Sequence, residues 1–438
     1  MSLTVRHIIP VLGAAWVAAF AQAAVHTFVA DGGDWSDPKN WRPEAPAEWT
    51  ASHTGIVANA TAIMDAPLGA KDNAPTIIIG EDGVCELTQN NGRDFNLHTP
   101  FILRGGNLVF SPERTAGWAR ILVWGGIAVE EDSTLTLLAN HIIFEGPFSG
   151  NASLTLAGLN PVVGGELNHG PFLKADNSGF TGDLHIRTRV FVKNASQLGA
   201  GNVIVHAGGF LDLDGHVDKT RPITLNGGAL RAMGDYGFRS DIFVAADSFL
   251  DTTAGRLGVG GNISGPGKIT VGCDLPGGAR AGRGTVGLRG DNRAWTGGLV
   301  IRHPYASVSS MIEGPNAFPN GPVSLPNEGT CQLYFSHGFT TTHDFTGPVF
   351  LYIGHGSTGT FTINGATFSP SALPDSAGAS TLFGNLSLAN ATLRMKIVGA
   401  KNHDQLILYH GGVDVFNFGE NAKKTISGGS DIALYNFR

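Results

Sequence analysis

The feature that most constrains this chain is an internal repeat. When the sequence is shifted against itself by about 115 residues, about 19 of the 61 residues from 127 to 187 are identical to their counterparts. Agreement is densest where Asp176-Asn177 falls on Asp291-Asn292 and Thr181-Gly182 falls on Thr296-Gly297. A fixed period means that one structural unit recurs and that neighbouring units bury each other's apolar faces. The sequence therefore predicts one long repetitive domain instead of two or three average ones.

Composition selects the kind of repeat. The chain of 438 residues contains 62 glycines, and 15% of its residues are charged whereas 42% are hydrophobic. Glycine costs about 1 kcal/mol at an interior helix position, so a helical repeat is excluded, and the apolar content excludes a disordered chain. The net charge is −7 and no basic block occurs, so neither a nucleic acid nor an anionic membrane is an expected partner.

Short apolar runs separated by turn residues fill the chain from about residue 62 onward. Examples are Thr76–Gly80, Phe101–Phe110 and Gly201–Val205. Such runs predict β-strands, and the period divides into about five rungs of 20 to 25 residues, the size of one three-strand turn of a parallel β-helix. We therefore predict an all-β, single-stranded parallel β-helix whose outward Thr, Ser and Asn side chains form ladders.

Glycine has a specific place in this prediction. Sharp corners require residues that adopt positive φ, and glycine does so without steric cost. Gly150 recurs as Gly265 and Gly182 recurs as Gly297. We expect these pairs to occupy the same corners of successive turns.

The N-terminal segment has the features of a secretory signal peptide. It carries Arg6 without an acidic residue, the apolar stretch Ile8–Phe20, and small residues in Ala21-Gln22-Ala23. Cleavage is expected after Ala23 or Ala24, and the mature chain is not expected to span a membrane. The predicted organisation is a signal peptide at 1–24, a Trp-rich cap at 25–61, a β-helix at 62–375 and C-terminal coils at 376–438. The protein is thus expected to be secreted or held at a cell surface.

Three cysteines are too few and too widely spaced for a disulfide framework or a zinc site. They are Cys85, Cys273 and Cys331. We expect them to be small buried hydrophobic residues.

Two segments resemble the autotransporter-associated β-strand repeat, also called the passenger-associated transport repeat. Gly284–Ile301 contains a hydrophobic strand followed by Gly290-Asp291-Asn292 and by Trp295-Thr296-Gly297-Gly298. Leu173–Leu184 is a more diverged copy, with Asp183 where that repeat prefers a second glycine. The resemblance covers about half the chain. It implies an exported bacterial β-helix of right-handed winding, often a surface passenger, with no assigned catalytic chemistry.

Both ends of the chain bear on this resemblance. Asp34–Trp41 is similar to the Trp…Asn-Trp motif that opens many such proteins, and Gly384–Leu388 with His403–Leu408 is similar to their last coils. No series of alternating membrane-barrel strands follows Val413. We therefore expect either a freely secreted protein or an incomplete chain.

One group of residues suggests an enzyme. Gly354-His355-Gly356 and Arg394-Met395-Lys396 are similar to the Gly-His-Gly and Arg-x-Lys elements of polygalacturonases. Those enzymes need a pair of carboxylates as acid and base, yet upstream of His355 only Asp344 and Glu328 are near. No catalytic residue is therefore predicted, and the glycine-rich segment is interpreted as a corner with a solvent-facing histidine. A carbohydrate-active hydrolase or lyase stays the alternative.

Two further candidate sites concern ligands. Asp212, Asp214 and Asp218 surround a glycine turn and could offer oxygen ligands to calcium, although a solvated turn is the favoured interpretation and no metal or other cofactor is predicted. Trp35, Trp41 and Trp49 could stack on sugar rings if exposed, or close the open end of the first coil if buried, and the second interpretation is favoured. The main hypothesis is a non-enzymatic, exported β-helical scaffold or adhesin with an unidentified surface or glycan ligand.

Overall fold

The fold is a stack of parallel β-strands. The computed structural model describes residues 24–64, 70–88, 94–111, 120–139, 141–158, 170–252, 255–271, 284–301, 309–312, 316–317, 319–324, 331–335, 339–347, 349–353, 360–370, 379–383, 385–395, 397–399, 402–403 and 405–409. Strands make up 53% and helices 3%, and the parallel sheets form a β-solenoid. The predicted all-β parallel β-helix is confirmed. Residues 1–23 of the predicted signal peptide lie outside the described residues.

The chain visits three faces in turn, and the first face is built from two sheets. A seven-stranded sheet comes first along the chain, and an eight-stranded sheet takes its place in the later turns. Its strands are Ala24–Phe28, Trp41–Arg42, His53–Val57, Thr76–Ile79, Phe101–Arg104, Ile127–Glu131 and Phe148–Gly150, then Tyr236–Phe238, Gly255–Val259, Gly284–Leu288, Ser309–Ile312, Cys331–Phe335, Val349–Ile353, Ala379–Phe383 and Gln405–Tyr409.

The second face follows the same plan. An eleven-stranded sheet is succeeded by a three-stranded sheet. Its strands are Gly33–Asp34, Thr61–Met64, Val84–Leu87, Asn107–Phe110, Ser133–Leu137, Leu154–Ala157, Leu184–Ile186, Val203–His206, Ile223–Asn226, Ile242–Ala246 and Ile263–Ser264, then Phe339–Thr341, Thr360–Asn364 and Asn385–Ala389.

The third face is a single sheet of 14 strands. They are Phe95–Leu97, Ile121–Val123, Ile142–Phe144, Phe172–Leu173, Arg189–Val192, Phe210–Leu213, Ala229–Ala232, Ser248–Thr252, Ile269–Val271, Leu299–Ile301, Val323–Ser324, Phe345–Thr346, Thr367–Ser369 and Thr392–Leu393. Short 3₁₀ helices occur at Pro38–Asn40 and Ala195–Leu198, and Ile397–Gly399 pairs antiparallel with Asn402–His403.

One large hydrophobic cluster runs along the inside of the stack, and a small second cluster contains Phe210 and Ala229. Strands alternate between buried and half-exposed residues, so that Ile77 and Ile79 are fully buried while Thr76 and Ile78 point outward. Each buried aliphatic or aromatic side chain contributes about 1.5–3 kcal/mol. Because the strands are stacked in register, the core continues from one turn to the next without interruption.

The sequence repeat does not match a whole number of turns. Ile127–Glu131 belongs to the first face, whereas its counterpart Ile242–Ala246 belongs to the second. Gly150 and Gly265 share a positive φ, 105° and 108°, yet Gly150 ends a strand of the first face and Gly265 follows a strand of the second. The expectation that repeated glycines occupy the same corners is therefore wrong. The local backbone conformation recurs, but one repeat later it lies on the next face of the solenoid.

Coil length explains this change of face. Side-chain and backbone hydrogen bonds join residues of adjacent turns that are as few as 18 and as many as 33 positions apart. Each repeat contains one long coil, because Leu154 pairs with Leu184 and Ile269 pairs with Leu299. The repeat of about 115 residues therefore covers five turns and about one third of a sixth.

Candidate functional site

The repeated asparagines join three successive coils. Asn177 Oδ1 accepts a hydrogen bond from the backbone N–H of Phe148 at 2.6 Å, and its Nδ2 donates to the carbonyl of Gln197 at 2.6 Å. Asn292 does the same with Ile263 N–H and the carbonyl of Ala317, each at 2.7 Å. Both asparagines are buried. The most repeated part of the sequence therefore has a structural role.

The repeated aromatic-Thr-Gly step, Phe180-Thr181-Gly182 and Trp295-Thr296-Gly297, also joins coils. The Thr181 and Thr296 N–H groups donate to the carbonyls of Gly150 and Gly265 at 2.8 and 3.0 Å. Trp295 is fully buried, and its Nε1 donates to the carbonyl of Gly267 at 2.9 Å. This step fastens each long coil to the coil before it.

The N-terminal tryptophans form an aromatic cluster. Trp35 and Trp41 are 1% and 0% exposed, and their rings meet edge to face with centroids 4.5 Å apart. Trp49 is half-buried against Trp41, at 5.0 Å. Trp35 and Trp41 offer no ring face to solvent, so the hypothesis that they stack on sugars is wrong. Instead, Trp41 packs against Gly55 of the next turn, as a cap requires.

The calcium candidate is also wrong. The Asp212 carboxylate is fully buried, and its Oδ2 accepts from Arg189 Nε at 2.5 Å and from Arg231 Nη2 at 2.7 Å. Burial acts to raise the pKa of Asp212, but these two guanidinium groups outweigh it and hold the pKa below its usual range. Asp214 pairs with Lys193 at 3.1 Å, and Asp218 is exposed. The three carboxylates do not converge on one point.

The Arg189–Asp212–Arg231 cluster lies on the outer side of the third face. All four residues of Arg189–Val192, Phe210–Leu213 and Ala229–Ala232 are buried, so both sides of these strands are covered. Arg189 lies 4.4 Å from the centroid of the Phe191 ring. Because removal of one partner leaves a buried charge uncompensated, the cluster is a structural element that costs about 3–5 kcal/mol to break.

The polygalacturonase-like elements are only partly visible. Gly354-His355-Gly356, Lys396 and Glu328 lie outside the described residues. Arg394 is exposed, and Asp344 Oδ1 accepts from the Thr367 N–H at 2.8 Å. Asp344 is thus engaged at a turn between coils.

Cys85 behaves as predicted. It is a buried free thiol. Burial raises its pKa to about 12, so the thiol stays neutral and unreactive. Cys273 lies outside the described residues. Among the residues that the structure places, no three His, Cys, Asp or Glu side chains are grouped so as to hold a metal ion.

An exposed tryptophan on the third face was missed by the sequence interpretation. Trp124 is 45% exposed, and its Nε1 donates to Asn96 Oδ1 of the preceding coil at 3.2 Å. The His98 ring lies beside the indole, with centroids 6.0 Å apart and planes 19° apart. A signal existed, because Ile121 and Val123 are buried and period-two alternation directs Trp124 outward.

Paired charges lie on the same face as this tryptophan, at the start of its strand and on the following coil. Arg120, which precedes the strand that leads to Trp124, donates through Nε and Nη2 to Asp94 Oδ2 at 3.1 and 2.5 Å. These hydrogen bonds hold the pKa of Asp94 below its usual range, so the carboxylate stays ionised. On the following coil, Glu145 accepts from Lys174 Nζ at 3.0 Å. We call Asp94, Asn96, His98, Arg120 and Trp124 the Trp124 surface.

Comparison of the chain with protein-family models, curated proteins and solved structures gives no match. Within the described ranges, no helix has the length and apolar character needed to cross a membrane.

Proposed function

We propose that this protein is an exported, non-enzymatic β-solenoid that acts at a cell surface or outside the cell as a scaffold or adhesive module. The observation that carries the proposal is that the repeated residues form hydrogen bonds between coils. Asn177, Asn292, Thr181 and Thr296 all join one coil to another. The recurring part of the sequence thus builds a long, regular support on which other surfaces can be displayed.

Carboxylates at the turns support the same proposal. Asp132, Asp247 and Asp344 each accept a hydrogen bond through Oδ1 from a backbone N–H of the next coil, at 2.8, 3.0 and 2.8 Å. A carboxylate that terminates a backbone N–H group stabilises a turn. Acidic residues of this solenoid are therefore used for coil-to-coil contacts in several turns.

Expression of the whole chain in a bacterial secretion host tests export. The Ala24 N–H already donates to the Ser52 carbonyl at 2.9 Å within the first strand. We therefore expect a secreted protein whose intact mass matches that of a chain beginning at Ala24. Retention of the full-length chain inside the cell would contradict the proposal.

Incubation of the purified protein with polysaccharides tests the alternative. The proposal expects neither new reducing ends nor unsaturated sugars, while beads coated with the protein adhere to cells or matrix. Product release by the wild type that is lost in His355→Ala would instead establish a carbohydrate-active enzyme.

A further inference from the structure

The geometry points to the Trp124 surface as a binding site for a neutral glycan, in which the indole stacks on the apolar side of a pyranose ring. This inference rests on the proposed adhesive function and names its ligand class. The first supporting observation is exposure. Trp124 is 45% exposed, whereas Trp35, Trp41 and Trp295 are at most 1% exposed. An aromatic ring in water retains a large apolar area that a ligand can cover.

The second observation is that the exposed ring is held in place. The hydrogen bond from Nε1 to Asn96 fixes the edge of the indole, and His98 lies beside it in a nearly parallel plane. Both partners belong to the preceding coil. Asn96 lies within the strand Phe95–Leu97, and Trp124 and His98 each directly follow the end of a paired strand. A pre-ordered side chain loses little conformational freedom on binding, which favours affinity.

The third observation concerns charge and hydrogen bonding. Arg120 is paired with Asp94, and Glu145 is paired with Lys174, so these charges on the third face are neutralised in pairs. Arg120 lies four residues before Trp124, which places its Cα about 13 Å away along the extended strand. A ligand would meet an aromatic platform at one end and polar, charge-paired groups at the other. This combination suits the hydroxyl groups of a neutral oligosaccharide better than a polyanion.

The size of the surface argues against a protein partner. Stable protein–protein interfaces bury about 1,200–2,000 Å² and have an apolar centre. Here the Trp124 indole is exposed, and on the following coil the charged residue Glu145 directly follows Phe144, which pairs with Val123. A sugar ring needs only the area of one aromatic side chain. The experiment therefore has to exclude binding of a second copy of the chain to this surface.

The experiment measures binding of the secreted, full-length protein to insoluble cellulose, β-1,3-glucan, chitin, xylan and mannan, with polygalacturonate as an acidic comparison. We expect binding to at least one neutral polymer, and Trp124→Ala to weaken it about tenfold. Trp124→Phe keeps a ring and should retain most of the affinity. Phe243→Ala is the matched control, because Phe243 is 42% exposed but lies on the second face, and its binding should equal that of the wild type.

Fluorescence gives a second readout, which reports ligand contact at Trp124 directly in the wild type. The acrylamide-quenchable emission that disappears in Trp124→Phe should become protected when the bound polymer's soluble oligosaccharide is added. Binding to none of the neutral polymers, equal binding by Trp124→Ala, or a monomer–dimer equilibrium abolished by Trp124→Ala would overturn the inference. If the coated beads still adhere in those cases, the adhesive function stands and only the glycan site fails.

Discussion

At the scale of single residues, glycine positions show how closely the coils approach each other. A Cβ added to Gly182 would lie 1.8 Å from the carbonyl oxygen of Ala152, whereas a Cβ at Gly179 would meet nothing within 4 Å. We expect Gly182→Ala to lower the free energy of unfolding by about 2–3 kcal/mol, because the backbone of one coil must move. Gly179→Ala, three residues away, should change it by less than about 0.5 kcal/mol. Urea denaturation of the two variants measures the difference, and equal midpoints would contradict this packing.

The buried asparagines provide a second residue-scale prediction. Asn177→Ala removes two hydrogen bonds and leaves the Phe148 N–H and the Gln197 carbonyl without their partner. Because these groups are buried, the expected loss is about 2–4 kcal/mol of stability. Asn202→Ala is the control, since Asn202 is exposed and its Nδ2 donates to Asp183 at the surface. Thermal unfolding should show a large fall in Tm for Asn177→Ala and a small one for Asn202→Ala.

The sequence predicts which residues recur but not what they touch. Asn177 and Asn292 are evident from self-comparison, yet the N–H groups that bond to them lie 29 residues earlier, and the carbonyls lie 20 and 25 residues later. No local pattern connects such positions, because the contact depends on the length of the coil between them. Trp124 shows the opposite case. Its outward direction follows from the alternation of its own strand, whereas the hydrogen bond to Asn96 spans 28 residues and could not be foreseen.

At the scale of elements, two adjacent strands of the second face bring a pair of histidines together. His185 Nδ1 and His206 Nε2 are 3.0 Å apart. Partial burial, the charge of Arg187 and the proximity of His185 lower the pKa of His206. The folded state thus binds a proton on His206 less readily than the unfolded state. Its contribution to stability is full above about pH 6.5 and is lost as the pH falls below that value towards the lower folded pKa.

The lowered pKa of His206 predicts a measurable pH dependence of the protein's stability. Between pH 7.5 and pH 5.0 the Tm of the wild type should fall by about 1–2 °C more than that of His206→Gln, since His206 is only partly buried and the effect is correspondingly small. His343→Gln is the control, because His343 lies elsewhere and its Nε2 contacts the amide oxygen of Asn320. If His206→Gln and the wild type show the same pH dependence, the histidine pair is not responsible.

Strand boundaries show what the sequence could and could not define at this scale. The apolar run Thr76–Gly80 predicts a strand, and the structure has Thr76–Ile79. The run Phe101–Phe110 instead forms two strands on two faces, because Gly105 adopts a φ of 82° and turns the chain between them. Apolar content alone does not distinguish one long strand from two short strands around a corner. The positive φ of a single glycine makes that distinction.

At the scale of the whole molecule, the repeat and the coil are different units. Counterparts one repeat apart, such as Ser133–Leu137 and Ser248–Thr252, lie on the second and third faces. The same local sequence thus fits more than one face, so the faces make similar demands on their strands. Self-comparison of the sequence gives the period, but it does not give the number of residues per turn. The position of a coil boundary has to come from strand pairing.

The pairing register predicts which segment can be removed from the solenoid. Ile223 pairs with Ile242, and Ile242 pairs with Ile263, while Leu230 pairs with Leu250 and Leu250 pairs with Val271. Deletion of residues 242–262 should therefore bring Ile223 against Ile263 and leave all three faces in register. Stability in such repeats is close to a sum of nearest-neighbour terms. We expect a folded, soluble protein with an unchanged β-sheet circular dichroism spectrum per residue.

Deletion of residues 242–252 is the control for this prediction. It removes about half a coil, namely one strand of the second face and one of the third. The next strand along the chain, Gly255–Val259, belongs to the first face, but it would come at the position where the chain needs a strand of the second face. This variant should aggregate or lose its cooperative transition, because every later strand meets the wrong face. Small-angle X-ray scattering of the 242–262 deletion should show a maximum dimension reduced by about 5 Å, one strand spacing. Equal behaviour of the two deletions would mean that register between coils does not determine how this solenoid assembles.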